Sequence, residues 1–310
     1  MPRWLGLALR LLGTAGGLAW IALTVDLGQA MTAIGRIPIV VFVLACALVA
    51  ANVVAGALRW KVLLRAYGAS RIPPLSRLVY LYFVAFFYNN YLPGAVAGDV
   101  GRGVVTHAAF DEEGATGAIA VVFVERAQGL FALFALLAIG LAIAGASIDS
   151  SALWWWTVLG CAGSCALVGA IPVARRLAPY LPRPLAKIAG RLPALHDRGA
   201  FVIALGLSVC TQTLIALAGW QLLAALGPID LSASLLVVPL AAATTFLPIT
   251  VGGAGAREAV YVALCGRLFG MPEADALAAS IGLWGAHLVV GGLGGVVQLL
   301  GPAKQRTDDP

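Results

Sequence analysis

Six charged side chains sit within or beside long apolar stretches of this chain: Asp99, Arg102, Glu125, Arg126, Arg257 and Glu258. A charge at bilayer depth costs at least about 2.5–3.5 kcal/mol, so such groups pair with one another or serve a ligand. Their signs balance, three against three. One reading is structural: ion pairs between distant segments, such as Asp99 with Arg257 or Arg126 with Glu258. It expects Asp99 or Glu258 to meet an Arg of the other half of the chain. The other reading is that at least one Arg takes an anionic group, and two glycine-rich runs favour it. Gly98-Asp99-Val100-Gly101 and Gly252-Gly253-Ala254-Gly255 each precede a segment read as a half-helix. The free N–H groups and positive dipole at such a helix start bind phosphate or carboxylate, and Gly lets the ligand approach the backbone. Arg adds a planar fork suited to phosphate. The candidate substrate-binding set is therefore those six charges with Gly98, Gly252, Gly253, Gly255 and Asn90. Asn89 and Asn90 also precede Pro93 and stand where they can satisfy backbone freed by a break. Glu125 and Arg126 are adjacent, so they cannot share one helix face and one must reach a neighbouring element. Gln128, Gln212 and His287 are weaker candidates for a polar path, since interhelical hydrogen bonds are the commoner role of such residues.

The elements that carry these residues repeat. Leu92-Pro93-Gly94-Ala95-Val96-Ala97-Gly98-Asp99-Val100-Gly101-Arg102 aligns with Leu247-Pro248-Ile249-Thr250-Val251-Gly252-Gly253-Ala254-Gly255-Ala256-Arg257. The offset is 155 residues, half of 310. Leu, Pro, Val, Gly and Arg coincide in register. Pro and Gly breaks at corresponding places in two halves mark transporters built from repeats, with the site at the breaks.

Composition names the medium. Hydrophobic residues make up 61% of the chain and charged residues only 11%, against roughly 25% charged in a soluble domain. Runs long enough to cross about 30 Å of hydrocarbon are Leu5–Val25, Pro38–Leu58, Thr116–Ala144, Leu153–Val173, Phe201–Leu226 and Ala276–Leu300. Leu75–Val105 and Leu231–Leu264 hold the repeated motif. The short basic N-terminus precedes no cleavage signal, so the first run reads as a retained helix. The five cysteines fall in apolar stretches without CxxC spacing and read as small buried hydrophobes. The net charge of +6 comes from clusters beside the spans and fits orientation and anionic-lipid contact, not nucleic acid.

Charge placement gives a topology. Arg59, Lys61, Arg65, Arg71 and Arg77 crowd a region read as the loop after the second span. Arg175, Arg176, Arg183, Lys187, Arg191 and Arg198 crowd the loop before Phe201. Arg3, Arg10, Lys304 and Arg306 lie at the termini. The positive-inside rule places all of these in the cytoplasm. Three crossings between the two basic loops would put them on opposite sides. The conflict disappears if Leu75–Val105 is a re-entrant hairpin with Arg65 and His107 on one side, and Leu231–Leu264 a hairpin from the outside. The expected fold is an all-α polytopic membrane protein: about six transmembrane helices plus two re-entrant hairpins in an inverted repeat. Residues 1–310 form one membrane domain of halves 1–150 and 151–310. The alternative is eight plain transmembrane helices with Pro kinks. Irregular backbone at membrane depth is tolerated only inside protein or around a cavity, so both motifs should face inward. Trp154, Trp155 and Trp156 fall at the outer interface.

No HExxH, GxSxG, Walker A or metal-ligand cluster occurs, so neither enzyme chemistry, metal nor cofactor is expected. The ordered set Arg59-Trp60-Lys61-Val62-Leu63-Leu64, Asn90-Tyr91-Leu92-Pro93 with Gly98-Asp99 and Arg102, Glu125-Arg126, and Leu247-Pro248-Ile249 with Gly252-Gly253, Gly255 and Arg257-Glu258 resembles the lysylphosphatidylglycerol synthase transmembrane-region family. That family includes the flippase half of the multiple peptide resistance factor. Ala97-Gly98-Asp99 stands where its motif usually reads Gly-Gly-Asp. The chain stops at Pro310 without the soluble aminoacyl-transfer domain, so it is not expected to be the synthase. The resemblance implies a multi-pass protein of the bacterial cytoplasmic (inner) membrane with both termini cytoplasmic. It implies a translocase for a membrane lipid with a charged head group: an anionic phospholipid, a glycolipid or a polyprenyl-phosphate-linked lipid. A homodimer is an open expectation. The competing functions are a lipid-modifying membrane enzyme and a scaffold for a lipid or cell-envelope synthase.

Overall fold

The computed structural model describes residues 3–92, 97–111, 113–144, 151–246, 250 and 253–300, and their regular structure is entirely helical. The helices are α1 (Arg3–Thr24), α2 (Leu27–Arg36), α3 (Ile39–Ala66), α4 (Leu75–Tyr91), α5 (Ala97–Val105), α6 (Gly114–Ala144), α7 (Ser151–Leu177), α8 (Arg183–Gly190), α9 (Arg198–Ala224), α10 (Leu231–Ala243), α11 (Ala256–Phe269) and α12 (Glu273–Leu300). Local chemistry sets many of these boundaries. Asp26 Oδ1 accepts from the N–H groups of Gly28 and Gln29 and starts α2, and Asp197 Oδ1 caps α9 through Ala200 N–H at 2.9 Å. Gly270, at φ +64°, ends α11, with its own N–H and that of Met271 closing on Gly266 and Cys265 carbonyls.

Among the described residues, five helices are long and apolar enough to span a bilayer: α3, α6, α7, α9 and α12. Among the described residues, Thr14–Thr24 of α1 and α2, bent by 87°, count together as a sixth if they form one span. The protein is an all-α polytopic membrane protein. The expected first crossing Leu5–Val25 falls on α1, Arg3–Thr24, and Asp26 caps a new helix at its end. Eight long plain spans are not found among the described residues. α4 has 17 residues, α5 9, α10 13 and α11 14, each short of the roughly 20 that a crossing needs.

α4 and α5 form a hairpin whose two ends meet. Ser70 N–H, just before α4, donates to the Ala109 carbonyl, just after α5, at 2.9 Å. The arms touch through Gly98, where a Cβ would lie 2.1 Å from the Ala85 carbonyl oxygen. α10 and α11 close similarly: Leu226 and Ile229 share an apolar cluster with Met271. Pro93 to Val96 and Leu247 to Ile249, with Val251 and Gly252, lie outside the described residues, and these include both Pro-Gly breaks and the candidate Gly252.

The two hairpins exchange partners. α4 packs on α12 and α10 packs on α6, while α3 and α9 run together through the centre. A glycine makes room in each exchange: a Cβ on Gly294 would meet Phe83 O at 2.1 Å, and one on Gly140 would meet the Leu235 backbone at 3.0 Å. The basic region 59–77 also changes character. α3 runs on to Ala66, so Arg59, Lys61 and Arg65 are helical, and Arg59 is buried rather than in a loop. The apolar side of α3 simply continues through Trp60, Leu63 and Leu64, all fully buried.

Candidate functional site

Two charge clusters organise the interior. The first is built on Glu125 of α6, whose side chain is 1% exposed. Its Oε1 accepts from Arg59 Nη2 at 2.6 Å and from Tyr82 Oη at 2.5 Å. Its Oε2 lies 2.7 Å from Arg102 Nη2. Arg102 Nε also donates to Asp99 Oδ1 at 3.0 Å, and the other oxygen of Asp99 pairs with Arg126. The Arg102 guanidinium is held between Trp60 and Tyr82, 4.4 Å from each ring centroid. Arg59 continues across the molecule to the hydroxyls of Ser208 and Thr211 on α9. Helices α3, α4, α5, α6 and α9 are thereby joined by one polar network.

The second cluster is smaller. Arg257 pairs with its neighbour Glu258, donating through Nε at 2.9 Å. Glu258 Oε2 turns back to accept the Gly255 N–H at 2.7 Å and caps α11. Gly253 and Gly255 take φ of +81° and +82°, the left-handed region that favours Gly. A Cβ on Gly255 would also strike the Gly17 backbone of α1 at 3.0 Å.

Both acids thus pair inside their own half. The expected contacts of Asp99 with Arg257 and Arg126 with Glu258 do not form. Asp99 and Arg102 are three residues apart on one helix, and Arg257 and Glu258 are adjacent, so local pairing comes first. The glycine runs also differ from expectation. The N–H of Gly98 is taken by Asn89 Oδ1 at 3.0 Å and that of Gly255 by Glu258, so side chains of the chain itself already occupy these donors.

Between the halves lies a cavity of about 610 Å³. Arg126 and Arg257, one from each half, line it. Asn89, Asn90, Gln212 and His287, with Thr14 and Thr245, are among its other polar groups, and Phe86, Tyr91, Tyr261 and Trp284 form much of its apolar wall. Arg126 is 29% and Arg257 16% exposed in their side chains. The Arg257 guanidinium lies 5.7 Å from the Trp284 ring centroid. Asp99, Glu125 and Glu258 are not among the lining residues. Arg102, 2% exposed in its side chain, faces instead a separate groove of about 360 Å³ between α4 and α5, walled by Leu81, Val84 and Val105. Of the candidate set, the structure brings Arg126, Arg257 and Asn90 to the cavity. It commits Arg102, Glu125, Asp99 and Glu258 to ion pairs, and Gly98, Gly253 and Gly255 to packing and turns.

Sequence reasoning missed Arg59, Tyr82 and Tyr261. The signal for Arg59 was present: it lies four residues before Leu63, on the buried face, whereas Lys61 and Arg65 share another. Counting Arg59, four guanidiniums meet three carboxylates in the two clusters. The arrangement has features of an anion site: a surplus positive charge, and two guanidiniums on a half-buried wall that carries no carboxylate, each with its own acid behind it.

The model of the lysylphosphatidylglycerol synthase transmembrane region matches residues 4–295. The chain belongs to this family. Membership agrees with the ordered motifs, and it joins the multi-pass helical fold to lipid handling. No curated protein matches the chain. Arg59, Trp60, Glu125 and Arg126 all belong to or flank the first cluster, which joins the α4–α5 hairpin to α3 and α6.

Proposed function

We propose that the protein is a lipid translocase, not an enzyme, and that it carries a lipid with an anionic, phosphate-bearing head group between leaflets of the bacterial cytoplasmic (inner) membrane. The carrying observation is the cavity faced by Arg126 and Arg257 from opposite halves with no acid on its wall. A guanidinium fork in a low-dielectric cavity suits a phosphate. Among the described residues the interior acids are engaged by Arg, Tyr or backbone N–H, which leaves no carboxylate facing the cavity as a base.

On this reading residues 1–150 and 151–310 are inverted repeats within one membrane domain, and α4–α5 and α10–α11 are re-entrant hairpins. The matched order α1–α6 and α7–α12, offset by about 155 residues, and the exchanged hairpin packing support it. The N- and C-termini are cytoplasmic. Rocking of one half against the other exposes the cavity alternately to each leaflet. The experiment is reconstitution of the full chain into liposomes with fluorescent phosphatidylglycerol or phosphatidylcholine. Protein-dependent exchange of the anionic lipid, several-fold faster than of the zwitterionic one, is expected. No protein-dependent exchange of either lipid would contradict it.

A further inference from the structure

Away from the cavity, one surface sets a run of positive charge beside exposed apolar side chains. Residues 175–198, which join the spanning helices α7 and α9, hold six basic residues and one acid, Asp197. Asp197 lies 3.5 Å from Arg65 of α3. Arg175, Arg176, Arg183, Lys187, Arg191 and Arg198 form no ion pair among the described residues. The same segment exposes Tyr180 by 84%, Leu185 by 52% and Ile188 by 56%. Helix α8 sorts the two kinds of residue. Leu185 and Ile188, three apart, share one face, and Arg183 and Lys187, four apart, take the opposite one. Ala189 is the one buried residue of α8, so the rest of the protein leaves the apolar face largely uncovered. Arg176 and Arg191 are exposed and flank these apolar residues in the chain. None of them lines the cavity between the halves.

A soluble acidic partner would meet the basic residues and leave Leu185 and Ile188 in water. A second copy would bring its own positive segment against this one, and like charges repel. An anionic bilayer surface answers both features at once. Apolar side chains enter the boundary between head groups and acyl chains, while long basic side chains beside them reach lipid phosphates. That surface is also at hand, since a spanning helix stands at either end of the segment. We propose that α8 is an in-plane anchor that seats the α7–α9 end of the protein on an anionic leaflet. Tyr180, Leu185 and Ile188 insert, Arg176 and Arg191 contact lipid phosphates, and Arg183 and Lys187 turn to water.

The test uses the full chain in a Cys-free background, spin-labelled at Ile188→Cys on the apolar face or at Ala186→Cys off it. Each protein is placed one copy per nanodisc, in dioleoyl phosphatidylcholine alone or in an equimolar mixture with dioleoyl phosphatidylglycerol. Collision with oxygen, which gathers in hydrocarbon, is compared with collision with a water-soluble nickel chelate. In the anionic discs the label at position 188 should favour oxygen several-fold more than the label at position 186, at a depth of about 5–10 Å. That excess should shrink in phosphatidylcholine alone. Arg176→Gln with Arg191→Gln should weaken docking in the anionic discs by about fivefold for each charge lost. Equal nickel access at the two positions in every disc overturns the anchor and leaves this face to a protein partner. Burial at position 188 that ignores both lipid charge and the two Gln replacements overturns the anionic selection. Burial seen only when two copies share a disc makes the occupant a second copy and overturns the proposal.

Discussion

The arginines of this protein divide into two kinds by what surrounds them. Arg102 is enclosed by Glu125, Asp99, Trp60 and Tyr82, whereas Arg126 and Arg257 keep one side on the cavity. Removing a buried partner leaves uncompensated charge, which costs about 3–5 kcal/mol. Arg102→Ala should therefore destabilise the fold by that order and lower the midpoint of thermal unfolding in detergent. Arg257→Ala, whose partner Glu258 keeps the Gly255 N–H, should lower the midpoint by less. Equal midpoints for Arg102→Ala and wild type would refute the structural role. The six charges were legible in the sequence as inward-facing groups, and two of the guanidiniums do reach a common cavity. Their pairing was not legible, because balanced signs are satisfied equally by local and by distant partners. Arg59 escaped because a basic cluster after an apolar run reads as a loop, while in the fold the apolar face of α3 carries on past it.

Element by element, length and hydropathy located α3, α6, α7, α9 and α12, since a run of about 20 apolar residues has few alternatives. The sharp turn after α1 was encoded too: Asp26 followed by Gln29 is an N-cap signature, and both side chains meet at 3.1 Å. An apolar run hid it, because hydropathy averages over a cap. The α4–α5 hairpin was inferred from charge parity, and the adjacency of Ser70 and Ala109 agrees with both ends opening on one side. Arg65 also lies 3.5 Å from Asp197, which brings the second basic loop to the same end of the molecule. Cysteines placed at Arg65 and His107 in a Cys-free background should react with an impermeant maleimide from the same face of the membrane. Labelling from opposite faces would rule out the re-entrant hairpin.

For the molecule as a whole, the exchange of hairpins matters most. Each first hairpin arm packs on the last span of the other half, through Gly294 and Gly140, so neither half closes its core alone. The cavity forms where the exchanged elements meet, which explains why it draws Arg126 from α6 and Arg257 from α11. The repeat offset announced that two sites would be related; it did not place Gln212 and His287, which come from two elements with no common spacing. The two guanidiniums together are proposed to receive the head group. This is tested most directly by the liposome exchange of anionic lipid with Arg126→Ala and Arg257→Ala, beside Arg183→Ala on the exposed helix α8 as control. Loss of a charge contact in such a site costs about 2–5 kcal/mol, so each cavity variant should slow exchange roughly 30-fold or more, and Arg257→Lys should recover only part of the rate for want of the planar fork. Exchange at the wild-type rate by folded Arg126→Ala and Arg257→Ala proteins would contradict the account.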